Sequence, residues 1–399
     1  MRQRVTFPLL SASLLLLAAC SDDGESSPTT TTAASTTVAP TTGASTTVTS
    51  GSDGAGGDEL DVVAGQPFPE ARCAANEAAG PITYLSGFDF AAAASIIDVV
   101  VAEQQGYFED LCLDVELQPG GSTTNYPLVA DGEAQFASGG SFSEVVNYAA
   151  ANEAELVALA VEGRTAIDRL ILKPATATSL EELAGETIGV KFALPPSIAA
   201  MLATAGLVEG EDYETVLVDG FDPLVHYELD GIVGFPGYAS NEPGTLERAG
   251  LPFELFDPAD FDVPGSFGVI YTSQDFIDEH PTAAQDFIRA SMRGLADAIA
   301  DPEAAAAAAL QRVDANGNPN FLSPEGETFR WTTDAASITE TTPEDTGVGV
   351  PDPALLEAEV TAYAEVGLFG GAVPDIAARY DADLIAAVYD DQGQVIWSG

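Results

Sequence analysis

The sequence predicts an α/β protein of two lobes, each built on a mixed, mostly parallel sheet, and three observations indicate this class. The chain has 399 residues, 46% hydrophobic and 19% charged, so it can bury a core. At about 100 to 200 residues per domain, this length corresponds to two domains. Strand and helix patterns alternate every 10 to 15 residues or so, which is typical of crossover helices joining parallel strands. Breaks at 173–179 and 257–266 are expected to be two crossings that form a hinge.

The N-terminus reads MRQRVTFPLLSASLLLLAAC, with two arginines, an apolar run and a final Leu-Ala-Ala-Cys. This pattern predicts a lipoprotein signal peptide over 1–19 and a lipid on Cys20. The apolar run is too short to cross a hydrocarbon core of about 30 Å. An ordinary signal peptide with an incidental cysteine, or a short anchor helix, is the alternative. We expect an extracytoplasmic protein that is attached to the cell membrane only through its lipid.

A Ser/Thr-rich segment follows at 20–65, and its part from Ser21 to Gly57 contains no aromatic residue, Lys or Arg. Such a composition cannot offset the entropy of ordering, so the segment is predicted to be a disordered stalk. The folded part is then divided into a first lobe at 66–173, a second lobe at 174–266, and a return to the first lobe with C-terminal helices at 267–399.

The charge balance excludes several classes of function. With 13 Lys+Arg against 63 Asp+Glu, the net charge is −50, so the chain lacks the basic surface that binds nucleic acid. Neither of its two lysines is followed by Ser or Thr, which excludes a P-loop. Its two histidines are too far apart in sequence for a helical zinc motif. We therefore expect no cofactor, no metal and no catalytic residue.

Two cysteines remain once Cys20 is assigned to the lipid. In an oxidising compartment, Cys73 and Cys112 are most simply joined in a disulfide. Two buried free thiols are the alternative.

The pattern of the first lobe begins with a buried strand at 82–88, a helix at 91–108 and a strand at 113–120. A helix and the short strand AQFASGG follow, and then a helix that Ser141 caps, with Glu144 three residues later. The second lobe repeats strands and helices from 179 to 250. We expect strands and helices again from 267 onwards, and the stretch 316–350 has no assigned structure.

Several segments resemble substrate-binding proteins of ABC importers, which have the type II periplasmic-binding fold. The resemblance is to the branch that binds thiamine pyrimidine precursors, nitrate, sulfonates and taurine. It is carried by AEQQGYFEDLCLDVELQPGG (102–121), DGEAQFASGG (131–140), LILKPATATSLEELAGETIGV (170–190), LDGIVGFPGYASNEPGTLERAG (229–250) and FGVIYTSQDFIDEHP (267–281). Cys112 stands where the family usually has glycine, which fits the disulfide. The resemblance implies two mixed sheets joined by a double-crossing hinge.

The candidate ligand-binding residues follow the carboxyl ends of predicted strands, where ligands bind in open α/β sheets. Aromatic rings there can stack on a flat ligand and carboxylates can accept from an amine, although core packing explains the aromatics about as well. The predicted set is Asp89, Phe90, Ser122, Ser141, Phe192, Tyr238, Asn241 and Glu242.

The resemblance implies a monomeric, lipid-anchored protein that delivers a small heteroaromatic, such as a thiamine pyrimidine precursor, to an ABC permease and ATPase. Binding of a sulfonate, taurine or nitrate is one alternative. A surface binding module that serves a sensor is another. An enzyme of thiamine pyrimidine synthesis is disfavoured, because 74–172 contains no His or Lys and the chain has no cysteine cluster.

Overall fold

Two five-stranded sheets organise the residues that the computed structural model describes, 59–316 and 323–399. The first sheet contains, in spatial order, Asp114–Gln118 (β2), Pro81–Leu85 (β1), Phe136–Gly139 (β3), Phe267–Ser273 (β10) and Leu156–Gly163 (β4). The second contains Glu214–Leu217 (β7), Thr187–Val190 (β6), Gly234–Tyr238 (β8), Asp168–Leu172 (β5) and Glu254–Phe256 (β9). The predicted two-lobed α/β class is thus confirmed. The predicted signal peptide at 1–19, the lipid site at Cys20 and most of the stalk lie outside the described residues.

The two sheets have the same pairing pattern. In the first, β1 is parallel to β2 and β3, and β10 is antiparallel to β3 and β4. In the second, β6 is parallel to β7 and β8, and β5 is antiparallel to β8 and β9. The carboxyl ends of the parallel strands in each sheet therefore meet at one edge, which is where open α/β sheets bind ligands.

Fourteen α-helices are assigned in the described ranges. Those that precede β10 are Glu70–Glu77 (α1), Ile97–Gln104 (α2), Tyr107–Asp110 (α3), Ser122–Ala130 (α4), Phe142–Asn152 (α5), Pro196–Thr204 (α6), Pro223–Glu228 (α7) and Glu242–Arg248 (α8). Those that follow it are Gln274–Glu279 (α9), Pro281–Ala300 (α10), Pro302–Asn316 (α11), Pro324–Thr341 (α12), Pro353–Glu365 (α13) and Ala382–Ala386 (α14). Within these ranges, no helix is both long and apolar enough to cross a membrane.

One predicted crossing between the lobes is displaced. The second crossing, predicted at 257–266, does lie between β9 and β10. The first was expected at 173–179, but β5 already pairs with β8 and β9 of the second sheet. The chain therefore crosses earlier, in the short segment 164–167 between β4 and β5.

The core of the first lobe fills the space between its sheet and the pair α2 and α10. Phe136 of β3 stacks on Phe287 of α10 with ring centroids 3.8 Å apart. Gly294 permits the close approach of the two helices, since a Cβ there would lie 2.1 Å from the Asp98 carbonyl oxygen. This packing places α2 against one face of the sheet. The loop that joins β1 to α2 then lies at the carboxyl ends of the parallel strands.

The predicted disulfide between Cys73 and Cys112 is present, with Cα atoms 5.2 Å apart. It joins α1 to the turn before β2. Arg72 of α1 also donates to Asp286 of α10 at 2.6 Å. Cys112 has φ of +57°, a left-handed conformation that favours glycine, which gives a physical reason for glycine at this position in the family.

Two C-terminal helices contact both lobes. Leu356 and Val360 of α13 belong to the core of the first lobe, whereas Tyr363 of the same helix packs in that of the second. In α12, Phe329 covers Gly244 of α8 in the second lobe, where a Cβ would lie 2.4 Å from its ring. The Glu327 carboxylate, also in α12, accepts from the Ala92 N–H of the first lobe at 2.9 Å. The unassigned stretch 316–350 therefore contains a helix that bridges the lobes.

Candidate functional site

The candidate site lies where the strand ends of the two sheets face each other. On the first lobe, the loops after β1 and β2 are joined by hydrogen bonds. The Ser122 N–H donates to the Gly87 carbonyl at 2.7 Å, and the Asn125 side chain donates to the Ser86 carbonyl at 2.8 Å. Ser122, a predicted site residue, is half-buried at the first position of α4. These bonds hold the two loops as one surface.

Ser141 caps α5 as predicted, and its hydroxyl oxygen accepts from the Glu144 N–H at 3.3 Å. It also lies 2.9 Å from the Ser143 hydroxyl. The Glu144 side chain is exposed and is folded back over Gly140, where a Cβ would lie 2.6 Å from one of its carboxylate oxygens. The capping helix thus places a carboxylate at the edge of the cleft.

The predicted site residues of the second lobe differ from one another in how deeply they are buried. Tyr238 ends β8 and is 48% exposed, whereas Glu242, in the first turn of α8, is fully buried. Glu242 accepts from the Tyr238 N–H at 2.7 Å and forms an ion pair with Lys191. Asn241 precedes α8, and its side chain makes no capping hydrogen bond. The structure therefore gives Glu242 partners within the protein and places the Tyr238 ring in the cleft.

The aromatic residues after β1 differ from the sequence expectation. Phe90 is 1% exposed and belongs to the core of the first lobe, so its ring face is not available in the cleft. Phe88 is 37% exposed and lies 5.8 Å from the Arg330 guanidinium. Between them, Asp89 has φ of +46°, and this turn directs the two rings differently. Phe88 replaces Phe90 in the candidate site.

Phe192 follows β6 at the corresponding edge of the second sheet. It is 78% exposed, and its ring centroid lies 6.0 Å from that of Phe221. The ammonium group of Lys191 lies 5.6 Å from the Phe221 ring centroid. Phe88 and Phe192 therefore hold equivalent positions on the two lobes, because each follows the central parallel strand of its sheet.

Two carboxylates that were not in the predicted set, those of Glu144 and Asp168, interact electrostatically across the cleft. Although part of Glu144 is exposed, protein atoms around its carboxyl group desolvate it and raise its pKa to about 7, and the Asp168 charge contributes further in the same direction. Asp168 begins β5 and accepts from the Ser197 hydroxyl at 2.6 Å. Burial also raises the pKa of Asp168. The Ser141–Glu144 capping pattern was visible in the sequence, but the approach of Asp168 was not.

Three further carboxylates cap the loop between β1 and α2. Glu327 accepts from the Ala92 N–H at 2.9 Å, and Asp334 from that of Ala94 at 3.1 Å. Glu162 accepts from the Ser95 N–H at 3.0 Å. Because of this loop, α2 begins at Ile97 and not at 91 as predicted. The N–H donors here, which would suit an anion, are already occupied by side chains of the protein.

A shallow groove of about 410 Å³ lies beside the cleft, between α12 and the first crossing, and its lining includes Arg169, Phe329, Ser337 and Glu340. It does not include the residues that follow β1, β3 or β6. We therefore place the candidate site in the cleft and not in this groove. In the described residues, no cluster of His, Cys, Asp and Glu could hold a metal ion.

The fold is that of substrate-binding proteins of ABC importers. The aliphatic sulphonate-binding protein SsuA of Escherichia coli superposes with a TM-score of 0.56 and 12% identity, over 75% of this chain and 91% of that one. The ligand-binding component of an ABC-type import system from Staphylococcus aureus superposes with a TM-score of 0.55 and 13% identity, over 76% and 97%. At these identities, the likeness concerns the fold alone.

The sequence comparison shows the family. The model of the NMT1/THI5-like family matches residues 93–305, more than half of the chain, so the protein belongs to this family. The riboflavin-binding protein RibY of Chloroflexus aurantiacus is 34% identical over 137 residues, which are 34% of this chain. The match spans only 38% of the length of that curated relative.

Proposed function

We propose that the protein is the solute-binding protein of an ABC importer and that it binds a small heteroaromatic ligand between its lobes. The ligand we favour is an aminopyrimidine such as a thiamine pyrimidine precursor. The protein would work as a monomer and deliver its ligand to a permease and ATPase. The proposal assigns no catalytic step to the cleft.

The observation that carries this proposal is the pairing of exposed rings with carboxylates at the cleft. Phe88, Phe192 and Tyr238 expose their rings there, and Glu144 and Asp168 lie between the lobes. Flat aromatic faces stack on a planar ligand, and carboxylates accept hydrogen bonds from ring amines. A planar ring that carries amino groups satisfies both.

The charges near the cleft argue against the sulfonate, taurine or nitrate alternative. Lys191 is paired with Glu242, and Arg330 donates to Glu327 at 2.8 Å. Arg169 lies 2.7 Å from the Asp257 carboxylate. An anion needs a cation or a group of free N–H donors, and these three cations already have partners. The partial match to a riboflavin-binding protein supports a heteroaromatic ligand as well.

Thermal shift measurements test the ligand class. A ligand that binds only the folded state raises stability by about 2.7 kcal/mol at a hundredfold excess over Kd. We expect an aminopyrimidine to raise the Tm, while taurine and nitrate leave it unchanged. Riboflavin belongs in the same series because of the RibY match. Stabilisation by taurine or nitrate alone would reject the heteroaromatic and retain the solute-binding role.

Attachment to the membrane is a separate part of the proposal and rests on Cys20, which lies outside the described residues. A lipid there would hold the protein on the extracytoplasmic face of the membrane. Cys20→Ala should release the protein into the medium or leave an uncleaved precursor. If membrane partitioning of this variant is unchanged, the protein has no lipid anchor at Cys20. A surface module that serves a sensor would share this anchor, and the absence of ligand uptake in intact cells would favour that alternative.

A further inference from the structure

The two carboxylates in the cleft come from opposite lobes and are brought together by α13. Glu144 lies in the first turn of α5, and Asp168 accepts from Ser197 in the first turn of α6. Helix α13 packs against both α5 and α6. Glu359 of α13 accepts from the Ser143 N–H at 3.0 Å. The pKa of Tyr363, also in α13, is raised mainly by burial, and the Asp168 charge adds to this effect. The approach of Glu144 and Asp168 is therefore built into the fold.

In the part of the chain that the structure describes, the hydrogen-bond donors to these two carboxylates are neutral. Tyr126 donates to Glu144 through a long hydrogen bond of 3.4 Å, and Ser197 donates to Asp168 at 2.6 Å. Arg169 and Lys191, which both influence Asp168, form their ion pairs with Asp257 and Glu242. The Asp168 charge acts on Glu144, and two interacting like charges are unfavourable unless a proton or a cation lies near them.

A buried hydroxyl without a partner lies near Glu144. The Tyr271 side chain is fully buried, its hydroxyl has no hydrogen-bond partner in the described residues, and its pKa is raised by burial and by the nearby Tyr148 and Glu144. Its ring packs 5.2 Å from that of Tyr126, the donor to Glu144. A buried polar group without a partner is costly, and a ligand beside Glu144 can supply one.

We propose that the ligand carries a positive charge, as an ammonium group or a protonated amino-substituted ring, and that this charge lies between Glu144 and Asp168. This inference rests on the proposed solute-binding function and specifies its ligand class. Three other carboxylates also favour a cationic ligand over an anionic one. Their oxygens accept hydrogen bonds from N–H groups that an anionic ligand would need, and they belong to Glu327, Asp334 and Glu162. The charge of the ligand also offsets the repulsion between the two carboxylates.

A matched pair of ligands tests the charge. An aminopyrimidine with an aminomethyl substituent and its hydroxymethyl counterpart have the same ring, but only the first has an ammonium group. Titration calorimetry at about pH 8, above the pKa of about 7 for Glu144, keeps this carboxylate largely ionised. We expect the aminomethyl compound to bind about tenfold tighter or more, as for a charge-assisted hydrogen bond.

Variants locate the charge preference. Glu144→Gln and Asp168→Asn should each reduce the preference for the aminomethyl compound by about fivefold or more, while affinity for the hydroxymethyl compound changes little. Glu133→Gln and Glu228→Gln are matched controls. Both residues are exposed, and they precede the amino ends of β3 and β8, whereas the cleft lies at the carboxyl ends of these strands. These controls should keep the full preference.

The outcomes separate this inference from the proposed function. Equal affinity for the two pyrimidines, or an unchanged preference in both cleft variants, would overturn the positive charge and leave the binding protein intact. Binding of riboflavin with neither pyrimidine would overturn it too, since riboflavin is neutral. Binding of nitrate alone, which has no ammonium group, would reject both the charge and the heteroaromatic.

Discussion

Asp98 and Glu162 bury their carboxyl groups next to each other, where the start of α2 meets the end of β4. Both side chains are fully buried. Burial raises the pKa of Asp98 to about 7, and burial together with the Asp98 charge raises that of Glu162 well above its usual value. The pair therefore holds protons that both groups would release in the unfolded chain at neutral pH.

This pair should make stability depend on pH. A carboxyl whose pKa is raised on folding contributes stability that is complete below its unfolded pKa of about 4 and is lost as the pH rises through about 7. Asp98→Asn mimics the protonated form, so it should stabilise the protein relative to the parent more at about pH 8 than at about pH 5. Urea unfolding at the two pH values measures this. A difference in stability between Asp98→Asn and the parent that is the same at both pH values would contradict this prediction. Asp131→Asn, at an exposed position, is the control.

Substitution of Phe88 should affect ligand binding, whereas substitution of Phe90 should affect stability. Phe90→Ala removes a fully buried ring and should cost about 3 to 5 kcal/mol of stability. Phe88→Ala should change stability by less than about 0.5 kcal/mol and weaken binding of an aminopyrimidine about three- to tenfold. Thermal unfolding and calorimetry measure the two effects. Full ligand affinity in Phe88→Ala would show that the ligand does not stack on Phe88.

Lys191 should stabilise the second lobe through Glu242. Lys191→Met leaves the buried Glu242 carboxylate without its cation and should lower the free energy of unfolding by about 3 kcal/mol. The double variant Lys191→Met/Glu242→Gln should recover most of this loss, because an amide still accepts from the Tyr238 N–H without a charge. If the double variant is no more stable than Lys191→Met, the ion pair is not the source of the effect.

The disulfide should contribute through the loop it closes. The two cysteines are 39 residues apart, and the chain-entropy model gives about 4 kcal/mol for such a loop. Cys73→Ser/Cys112→Ser should lose about this much. Cys73→Ser/Cys112→Gly should lose about 1 kcal/mol less, because glycine adopts the left-handed φ at this position without strain. Equal stability of the two double variants would argue against strain at residue 112.

The sequence was sufficient for features that depend on local pattern, such as the alternating elements, the Ser141 cap and the pair Cys73 and Cys112. It was insufficient where long-range pairing decides. The strand at 168–172 has the same apolar pattern whichever sheet it joins, so the first crossing was misplaced. Phe88 and Phe90 differ only through the turn at Asp89. The approach of Glu144 to Asp168 depends on α13, almost 200 residues further along the chain.

The position of β10 between β3 and β4 also determines when the first lobe can be completed. The chain builds β3 and β4 early, yet they do not pair with each other, and the strand that joins them arrives only after the whole second lobe has been synthesised. Partial translation products therefore hold two unjoined strand edges that can pair with other chains. The first sheet can therefore be completed only once residue 273 has left the ribosome.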